Sequence, residues 1–219
     1  MKYTNAENEH HTESLSLYQM DCMELLKQTP DNYFDLAVVD PPYNLARFKN
    51  GIGENDRHTV KTKNTLWNNN APTEEYFQEL FRTSMNQIIW GANNFTLPQT
   101  EYFLIWNKKQ TVDNFASAEY AWVSMGLKMP AKVFDYGIHK HNHTSKIHPT
   151  QKPIPLYEYI LNTYSEKGQK ILDTHLGSMS SAIACHYYGA HLTGCELDAD
   201  YFKAGIERVE AETRQLTLF

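Results

Sequence analysis

Cysteine is scarce in this sequence, and long apolar runs do not occur. The three cysteines, Cys22, Cys185 and Cys195, stand far apart, whereas structural zinc sites and disulfide frameworks use closely spaced pairs. We therefore expect a reducing, cytoplasmic environment. No stretch approaches the roughly 20 apolar residues of a membrane-spanning helix, and residues 1–14 contain no apolar core of the signal-peptide kind. Neither a membrane protein nor a secreted one is predicted.

The sequence also lacks an excess of basic residues. Lysine and arginine number 20 against 26 aspartates and glutamates, which gives a formal net charge of −6. Proteins that bind nucleic acid without sequence preference usually carry a strong basic excess. Any contact with nucleic acid must therefore come from local patches. The length of 219 residues is enough for one well-packed domain.

A strand that ends at Asp40 organises the sequence. Residues 36–39 are apolar and are followed by Asp40-Pro41-Pro42-Tyr43. Proline has no N–H to give to a neighbouring strand, so the strand stops at Asp40. Open α/β sheets bind ligands at the carboxyl ends of their strands. A carboxylate, a free proline carbonyl and a ring suit a planar substrate with an exocyclic amino group; the alternative is an ordinary strand-to-loop turn.

A second strand–helix–strand unit lies near the end of the chain. Residues 170–173 predict a strand ending at Asp173, followed by a turn of small residues, a helix over 182–188 and a strand that finishes at Glu196. Gly177 in the turn permits a close approach of a ligand to the backbone. The following helix N-terminus favours a carboxylate or phosphate, and Glu196 can accept bonds from ribose hydroxyls, as in dinucleotide-binding folds.

Apolar periodicity predicts the remaining elements. Asp21 is expected to cap a short helix, a role that is compatible with ligand binding. The predicted segments are a disordered lead-in over 1–14, strands over 15–20, 87–90, 102–106 and 132–136, helices over 22–28, 72–86, 115–124, 155–164 and 200–214, and an apolar tail over 215–219. We therefore expect one α/β domain over 15–214, with a half around Asp40 (about 15–136) and a half around Glu196 (about 148–214).

Two polar stretches are candidates for contact with a substrate. Residues 44–70 carry a net positive charge and directly follow Tyr43, and long loops in compact domains are usually functional or disordered. Residues 137–148 hold four histidines, for which we favour a substrate-side loop over a metal site, so no metal is assigned. A solvated loop is the alternative for both stretches. The candidate residues are Arg47, Lys49, Arg57, Lys61, Lys63, Trp67, His139, Lys140 and Lys146.

Together these motifs resemble the DNA amino-methyltransferases that use S-adenosylmethionine, and most closely the permuted β class that methylates adenine N6. The likeness covers nearly the whole chain. Asp40 to Tyr43 matches the catalytic motif, and Met20 to Leu26 matches the segment near the cofactor adenine. His148 to Pro153 matches the segment that leads into the cofactor-side helix. Asp173 to Gly177 matches the methionine-side loop, and Glu196 matches the acid that binds the ribose.

The resemblance implies a class I methyltransferase fold. This is a Rossmann-like, mostly parallel seven-stranded sheet with helices on both faces, circularly permuted because the catalytic strand precedes the cofactor loop. It implies duplex DNA with a flipped adenine as substrate, a prokaryotic or phage restriction–modification setting, and leaves a homodimer open. The implied catalytic residues are Asp40, Pro41, Pro42 and Tyr43, and those for S-adenosylmethionine are Asp21, Cys22, Asp40, Lys152, Asp173, Gly177, Ser178 and Glu196.

The chain departs from the family pattern in two ways. Thr174 and His175 stand where the family has Pro and Phe, and Met179 replaces the second glycine of Gly-Ser-Gly-Thr-Thr. We expect Met179 to narrow the loop and to weaken cofactor binding. No segment is long enough for the usual large target-recognition domain. A cytosine-N4 or RNA adenine enzyme stays open, as does a catalytically inactive, DNA-binding or clamp-associated module; a nicotinamide dehydrogenase has no use for the Asp40 motif.

The last five residues carry a separate likeness. Gln215, Leu216, Leu218 and Phe219 resemble the pentapeptide by which bacterial replication and repair proteins dock on the sliding clamp. A free end with Leu and Phe anchors suits binding in a groove. The alternative is a tail that packs on its own core.

Overall fold

The computed structural model describes residues 2–43, 71–113, 116–137 and 146–214. Short 3-10 turns lie at Ala92–Asn94 and Met125–Leu127. The strands are β1 (Asn8–His11), β2 (Leu15–Gln19), β3 (Phe34–Val39), β4 (Ser84–Trp90), β5 (Phe103–Asn107), β6 (Ala118–Val123), β7 (Lys132–Asp135), β8 (Lys170–Asp173) and β9 (His191–Glu196). The helices are α1 (Cys22–Gln28), α2 (Glu74–Thr83), α3 (Ile154–Tyr164), α4 (Ser180–Tyr188) and α5 (Ala199–Thr213).

The strands of the described ranges form one nine-stranded sheet in the order β1-β2-β9-β8-β3-β4-β6-β5-β7. The central run from β2 to β4 is parallel throughout, and β7 is parallel to β5. The pairs β1–β2, β4–β6 and β5–β6 are antiparallel. The predicted α/β class with a mostly parallel sheet is confirmed, but the predicted number of seven strands is wrong. The circular permutation stays a prediction.

The first extra strand, β1, lies within the predicted disordered lead-in. Its polar residues pair antiparallel with β2, from Asn8 opposite Gln19 to His11 opposite Ser16. The Gln19 side chain accepts a bond from Asn8 Nδ2 at 2.5 Å and donates one to Glu7 Oε2 at 2.6 Å. A polar strand is tolerated at a sheet edge because one of its sides is left to solvent, and its polar side chains discourage pairing with another chain. Polar composition therefore did not mean disorder here.

The second extra strand, β6, replaces the helix predicted over 115–124. It runs antiparallel between β4 and β5, and its residues Ala121, Trp122 and Val123 are buried. Tyrosine, tryptophan and valine favour strands because their side chains pack well on a pleated surface. The contacts with two neighbouring strands outweighed the helical preference of the alanines.

Helices cover both faces of the sheet, as predicted. Alternate strand residues point to opposite sides: Val38 and Ile88 pack with α3, α4 and α5 on one face, while Val39 and Ile89 pack with α1 and α2 on the other. No helix of the described ranges is long and apolar enough to cross a membrane. The two layers of helices bury the central parallel strands. The polar carboxyl ends of these strands lie together on one side of the molecule.

Candidate active site

A cavity of about 750 Å³ lies at the carboxyl edge of the parallel strands. Asp40 follows β3 and Glu196 ends β9, so the parallel pairing brings the two predicted half-sites to one edge. The cavity is lined by both halves, among them Asp21, Cys22, Asp40, Pro42, His148, Gln151, Lys152, Thr174, His175, Gly177, Ser178, Glu196 and Asp198.

Asp173 supports the loop of the cofactor half from beneath. Its Oδ1 accepts a bond from the backbone N–H of His175 at 3.1 Å, and its Oδ2 accepts one from the Ser181 hydroxyl at 2.6 Å. Burial raises the pKa of this carboxyl to about 7. Asp173 is not among the residues that line the cavity. Its hydrogen bonds hold the loop around Gly177, and that loop lines the cavity.

Glu196 ties the same loop to the end of β9. Its Oε2 accepts a bond from the N–H of Gly177 at 2.8 Å, and its Oε1 accepts one from the N–H of Asp198 at 2.9 Å. Burial raises the pKa of Glu196. Gly177 has a φ of +49°, and the ring of His148 lies 3.5 Å from the position that a Cβ on Gly177 would take. A carboxylate thus shapes the loop and also faces the cavity.

The prediction that Met179 narrows this loop is wrong. Its side chain is fully buried and packs on α5, where a Cβ added to Gly205 would lie 2.8 Å from its Cγ. The backbone of Met179 has a φ of 58°, a left-handed conformation that costs a residue with a side chain roughly 1–2 kcal/mol. The chain keeps the backbone conformation that glycine favours and turns the added side chain into the core.

We expect Gly205→Ala to destabilise the protein by about 1–3 kcal/mol, because the new methyl group overpacks the contact with Met179. The matched background is Met179→Ala, which removes the atoms that clash. In that background the same substitution should gain about 1 kcal/mol, the helix preference of alanine over glycine. Urea unfolding of the four proteins measures this coupling, and equal effects of Gly205→Ala in both backgrounds would contradict it.

His175 presents a neutral ring to the cavity. Burial lowers its pKa to about 4, so the imidazole is uncharged near neutral pH. The Tyr76 hydroxyl lies 2.7 Å from Thr174 Oγ1, which lies 2.9 Å from His175 Nδ1. This chain of hydrogen bonds occupies the two loop positions at which the sequence departs from the family's Pro and Phe.

Asp40 takes part in a buried ion pair that was not predicted from the sequence. The Lys152 ammonium bonds Oδ2 of Asp40, lies 3.2 Å from Glu119 Oε2, and stands 5.4 Å from the centre of the Trp90 ring. The other oxygen of Glu119 bonds Lys108 Nζ at 2.6 Å. Oδ1 of Asp40 is buried and has no hydrogen-bond partner among the described residues.

The charges of this group compensate one another. Burial raises the pKa of Asp40 against the opposing effect of Lys152. Burial also acts to raise the pKa of Glu119, but the Lys152 and Lys108 charges outweigh it and bring that pKa to about 2. For Lys152 burial disfavours the ammonium, yet Asp40 and Glu119 raise its pKa well above the ordinary value. Two cations and two anions alternate beside the cavity.

Tyr43 is held by the turn after β4. Gly91 there has a φ of +65°, and a Cβ on it would lie 2.5 Å from Cε1 of the Tyr43 ring. The ring also meets Phe95 edge-on at a centroid distance of 6.5 Å. Glycine at this position is therefore what lets the tyrosine ring lie on the backbone, beside the motif that begins at Asp40.

The remaining predicted residues fall into three groups. Lys152, predicted as a cofactor ligand, lines the cavity and directs its ammonium to Asp40 and Glu119, and its contact with the cofactor stays a prediction. Lys146 is exposed at the start of the last described range. Lying outside the described residues are Arg47, Lys49, Arg57, Lys61, Lys63, Trp67, His139, Lys140, Gln215, Leu216, Leu218 and Phe219.

The sheet and its cavity define a Rossmann-like α/β protein, and solved structures share the fold. PvuII DNA methyltransferase (cytosine-N4-specific) superposes with a TM-score of 0.61 at 13% identity, over 96% of this chain and 94% of that one. The M1.HpyAVI–SAM complex superposes with a TM-score of 0.58 at 17% identity, over 89% of this chain and 99% of that one. The predicted class I methyltransferase fold is thereby confirmed.

Sequence comparison defines the family. A family model described as DNA methylase matches residues 60–207. The type II methyltransferase M.HpaI of Haemophilus parainfluenzae is 31% identical over 229 residues, covering 88% of this chain and 73% of that protein. M2.MboI of Moraxella bovis is 25% identical over 248 residues, covering 91% and 89%. The chain belongs to the DNA methylase family, and the prediction of a DNA methyltransferase is confirmed.

Proposed function

We propose that this DNA methyltransferase transfers the methyl group of S-adenosylmethionine to the exocyclic N6 of adenine at a defined site in duplex DNA. The observation that carries the proposal is Asp40: one carboxylate oxygen is bonded by Lys152, and the other is buried beside the cavity with no partner among the described residues. An acceptor held in this way suits an N–H donor from the substrate.

Residues that line the cavity fit S-adenosylmethionine. This cofactor carries a sulfonium and an ammonium against one carboxylate, and Glu7, Asp21, Glu196 and Asp198 are among the acids that line the cavity. Glu196 would accept bonds from the ribose hydroxyls, and Gly177 would let the loop backbone approach. When bound, the cofactor supplies an electrophilic methyl group: the N–C bond forms as the C–S bond breaks with its electron pair left on sulfur.

The chain's own part is to activate a weak nucleophile. The lone pair of the exocyclic amine is delocalised into the ring of the base. Asp40 Oδ1 would accept one N–H and the Pro41 carbonyl the other; both bonds strengthen as positive charge develops on nitrogen, so they favour the transition state over the ground state. After transfer, Asp40 takes the surplus proton. Tyr43 would stack on the base, which offsets part of the cost of flipping it out of the duplex.

Cytosine N4 is the second candidate position, because its exocyclic amine presents the same chemistry and PvuII DNA methyltransferase, with this fold, is cytosine-N4-specific. Asp rather than Ser before Pro41-Pro42-Tyr43 favours adenine by resemblance. The β class of the enzyme, duplex rather than RNA substrate, a homodimer, and clamp binding by residues 215–219 are parts of the same proposal and rest on sequence alone.

We expect tritiated methyl groups to pass from S-adenosylmethionine to unmethylated duplex DNA and to be recovered, after digestion and chromatography, in N6-methyldeoxyadenosine. Label in N4-methyldeoxycytidine would keep the mechanism and overturn the base. The Asp40→Ala protein is the background control. A folded protein that labels neither duplex, single strand nor RNA would overturn the proposed activity.

A further inference from the structure

A row of alternating charges runs from Lys108 through Glu119 and Lys152 to Asp40. Each residue comes from a different part of the fold: Lys108 follows β5, Glu119 lies on β6, Lys152 precedes α3 and Asp40 follows β3. The Lys152 side chain is only 3% exposed. Lys108 and Glu119 are not among the residues that line the cavity. We therefore expect their effect on a molecule in the cavity to pass through Lys152 and Asp40.

We propose that Glu119 and Lys108 are positioning residues that act through Lys152. The Glu119 carboxylate anchors the Lys152 ammonium on Oδ2 of Asp40, and this leaves Oδ1 as the acceptor for the amine of the substrate. The inference rests on the proposed function for the identity of that amine. Neither residue matches a motif on which the family resemblance was based.

The geometry requires both residues. A lysine side chain has four flexible methylenes, and a second carboxylate together with the Trp90 ring fixes where its ammonium lies. Glu119 alone would leave two carboxylates facing one buried ammonium, and the excess negative charge would favour protonation of Asp40. Lys108, 2.6 Å from Glu119, restores neutrality. Asp40 then stays ionised with one oxygen committed to Lys152 and one available.

The two residues are expected to shift the pKa of Asp40 in opposite directions. Glu119 raises it and Lys108 lowers it. Glu119→Gln should therefore move the acid limb of the rate profile to lower pH, and Lys108→Met should move it to higher pH. The double variant should return near the wild-type profile. All variants retain the other groups whose charges interact with Asp40. These groups are Lys152, Tyr43, Tyr157 and Asp173.

Rates and affinities separate positioning from a merely structural role. Glu119→Gln should lower kcat at its plateau by ~10-fold, since a charge-assisted anchor of the ammonium is lost, while the KM for S-adenosylmethionine stays near wild type. Lys108→Arg keeps the charge and should keep the wild-type acid limb. The matched control is Lys109→Met, whose ammonium pairs with Asp135 at 2.7 Å on the exposed surface; it should change neither quantity.

A second readout is independent of turnover. Carbon-13 NMR of protein labelled at aspartate Cγ follows the Asp40 carboxyl directly, with the resonance assigned by Asp40→Asn. The inference is supported if the pKa of Asp40 shifts in opposite directions in the two single variants and returns near the wild-type value in the double variant. Displacements in one direction, or none, overturn it. If Glu119→Gln does not fold, Lys108→Met against Lys108→Arg decides. Absence of methyl transfer in the wild type would overturn the proposed function, while the titration still tests the charge row.

Discussion

Asp40→Ala is expected to lower methyl transfer by ~10²–10³-fold or more, the range seen when a preorganised transition-state hydrogen bond is removed. The substitution takes away the oxygen that we propose as the acceptor of the substrate N–H, and it leaves the buried Lys152 ammonium paired with Glu119 alone. Cofactor affinity should change little, because the loop around Gly177 is held by Asp173 and Glu196. Single-turnover transfer and calorimetric binding of S-adenosylmethionine measure the two effects separately.

The control for this experiment is Asp40→Ala combined with Lys152→Met. If the loss of activity came from the Lys152 ammonium without its Asp40 partner, the double variant would recover activity. If it came from the missing acceptor, activity would stay low. An equal loss of transfer and of cofactor binding in Asp40→Ala would contradict the role that we assign to Asp40.

Glu196→Ala has the second large expected effect. It should weaken the affinity for S-adenosylmethionine rather than lower the rate of methyl transfer. Two carboxylate hydrogen bonds to ribose hydroxyls would be lost, together with the bonds that Glu196 accepts from Gly177 and Asp198. Since hydrogen bonds to charged groups contribute roughly 1.5–3 kcal/mol each, the loss of two costs about 3 kcal/mol or more, and we expect the Kd for S-adenosylmethionine to rise by ~100-fold or more. At saturating cofactor the transfer rate should recover most of its wild-type value. Isothermal calorimetry and the cofactor dependence of single-turnover rates give both numbers.

Asp200→Asn is the matched control for Glu196. It removes one carboxylate from the exposed first turn of α5, outside the residues that line the cavity. If a general loss of negative charge near the cavity caused the effect, both variants would bind S-adenosylmethionine more weakly. If loss of a direct contact caused it, only Glu196→Ala would bind more weakly. An unchanged affinity in Glu196→Ala would remove the ribose assignment.

The strand ends of the site could be predicted because their signals are local. Asp40 is followed by two prolines that cannot continue a strand, and Asp173 and Glu196 each end a short predicted strand. The structure places all three at the ends of β3, β8 and β9. Parallel pairing then brings them to one edge, a result that needs no knowledge of individual side-chain contacts.

Glu119 and Lys108 could not be found in this way, because nothing near either residue in the chain points to Asp40. Their pairing depends on β6 folding antiparallel to β5 and on Lys152 reaching across from another segment. The segment around Glu119 was predicted as a helix, which would have turned this side chain elsewhere. A lone acid within a run of Tyr, Trp and Val was the available signal, since strands of such residues rarely bury an unpaired charge.

Met179 illustrates a different limit of prediction from sequence. The sequence shows the substitution but not where its side chain goes, because the direction of the side chain depends on α5. Gly205 provides the space on that helix, and it lies far from Met179 in the sequence. Loop substitutions that look harmful in isolation can therefore be accommodated by a distant small residue.

The segment from His148 to Lys152 belongs to both halves of the site: the His148 ring lies over Gly177, and the Lys152 ammonium bonds Asp40. Its consequence concerns recombination. A chimera joined just after Lys152 would place the His148 ring of one parent against the Gly177 loop of the other. Halves exchanged between relatives would have to carry this segment together with both of its contacts.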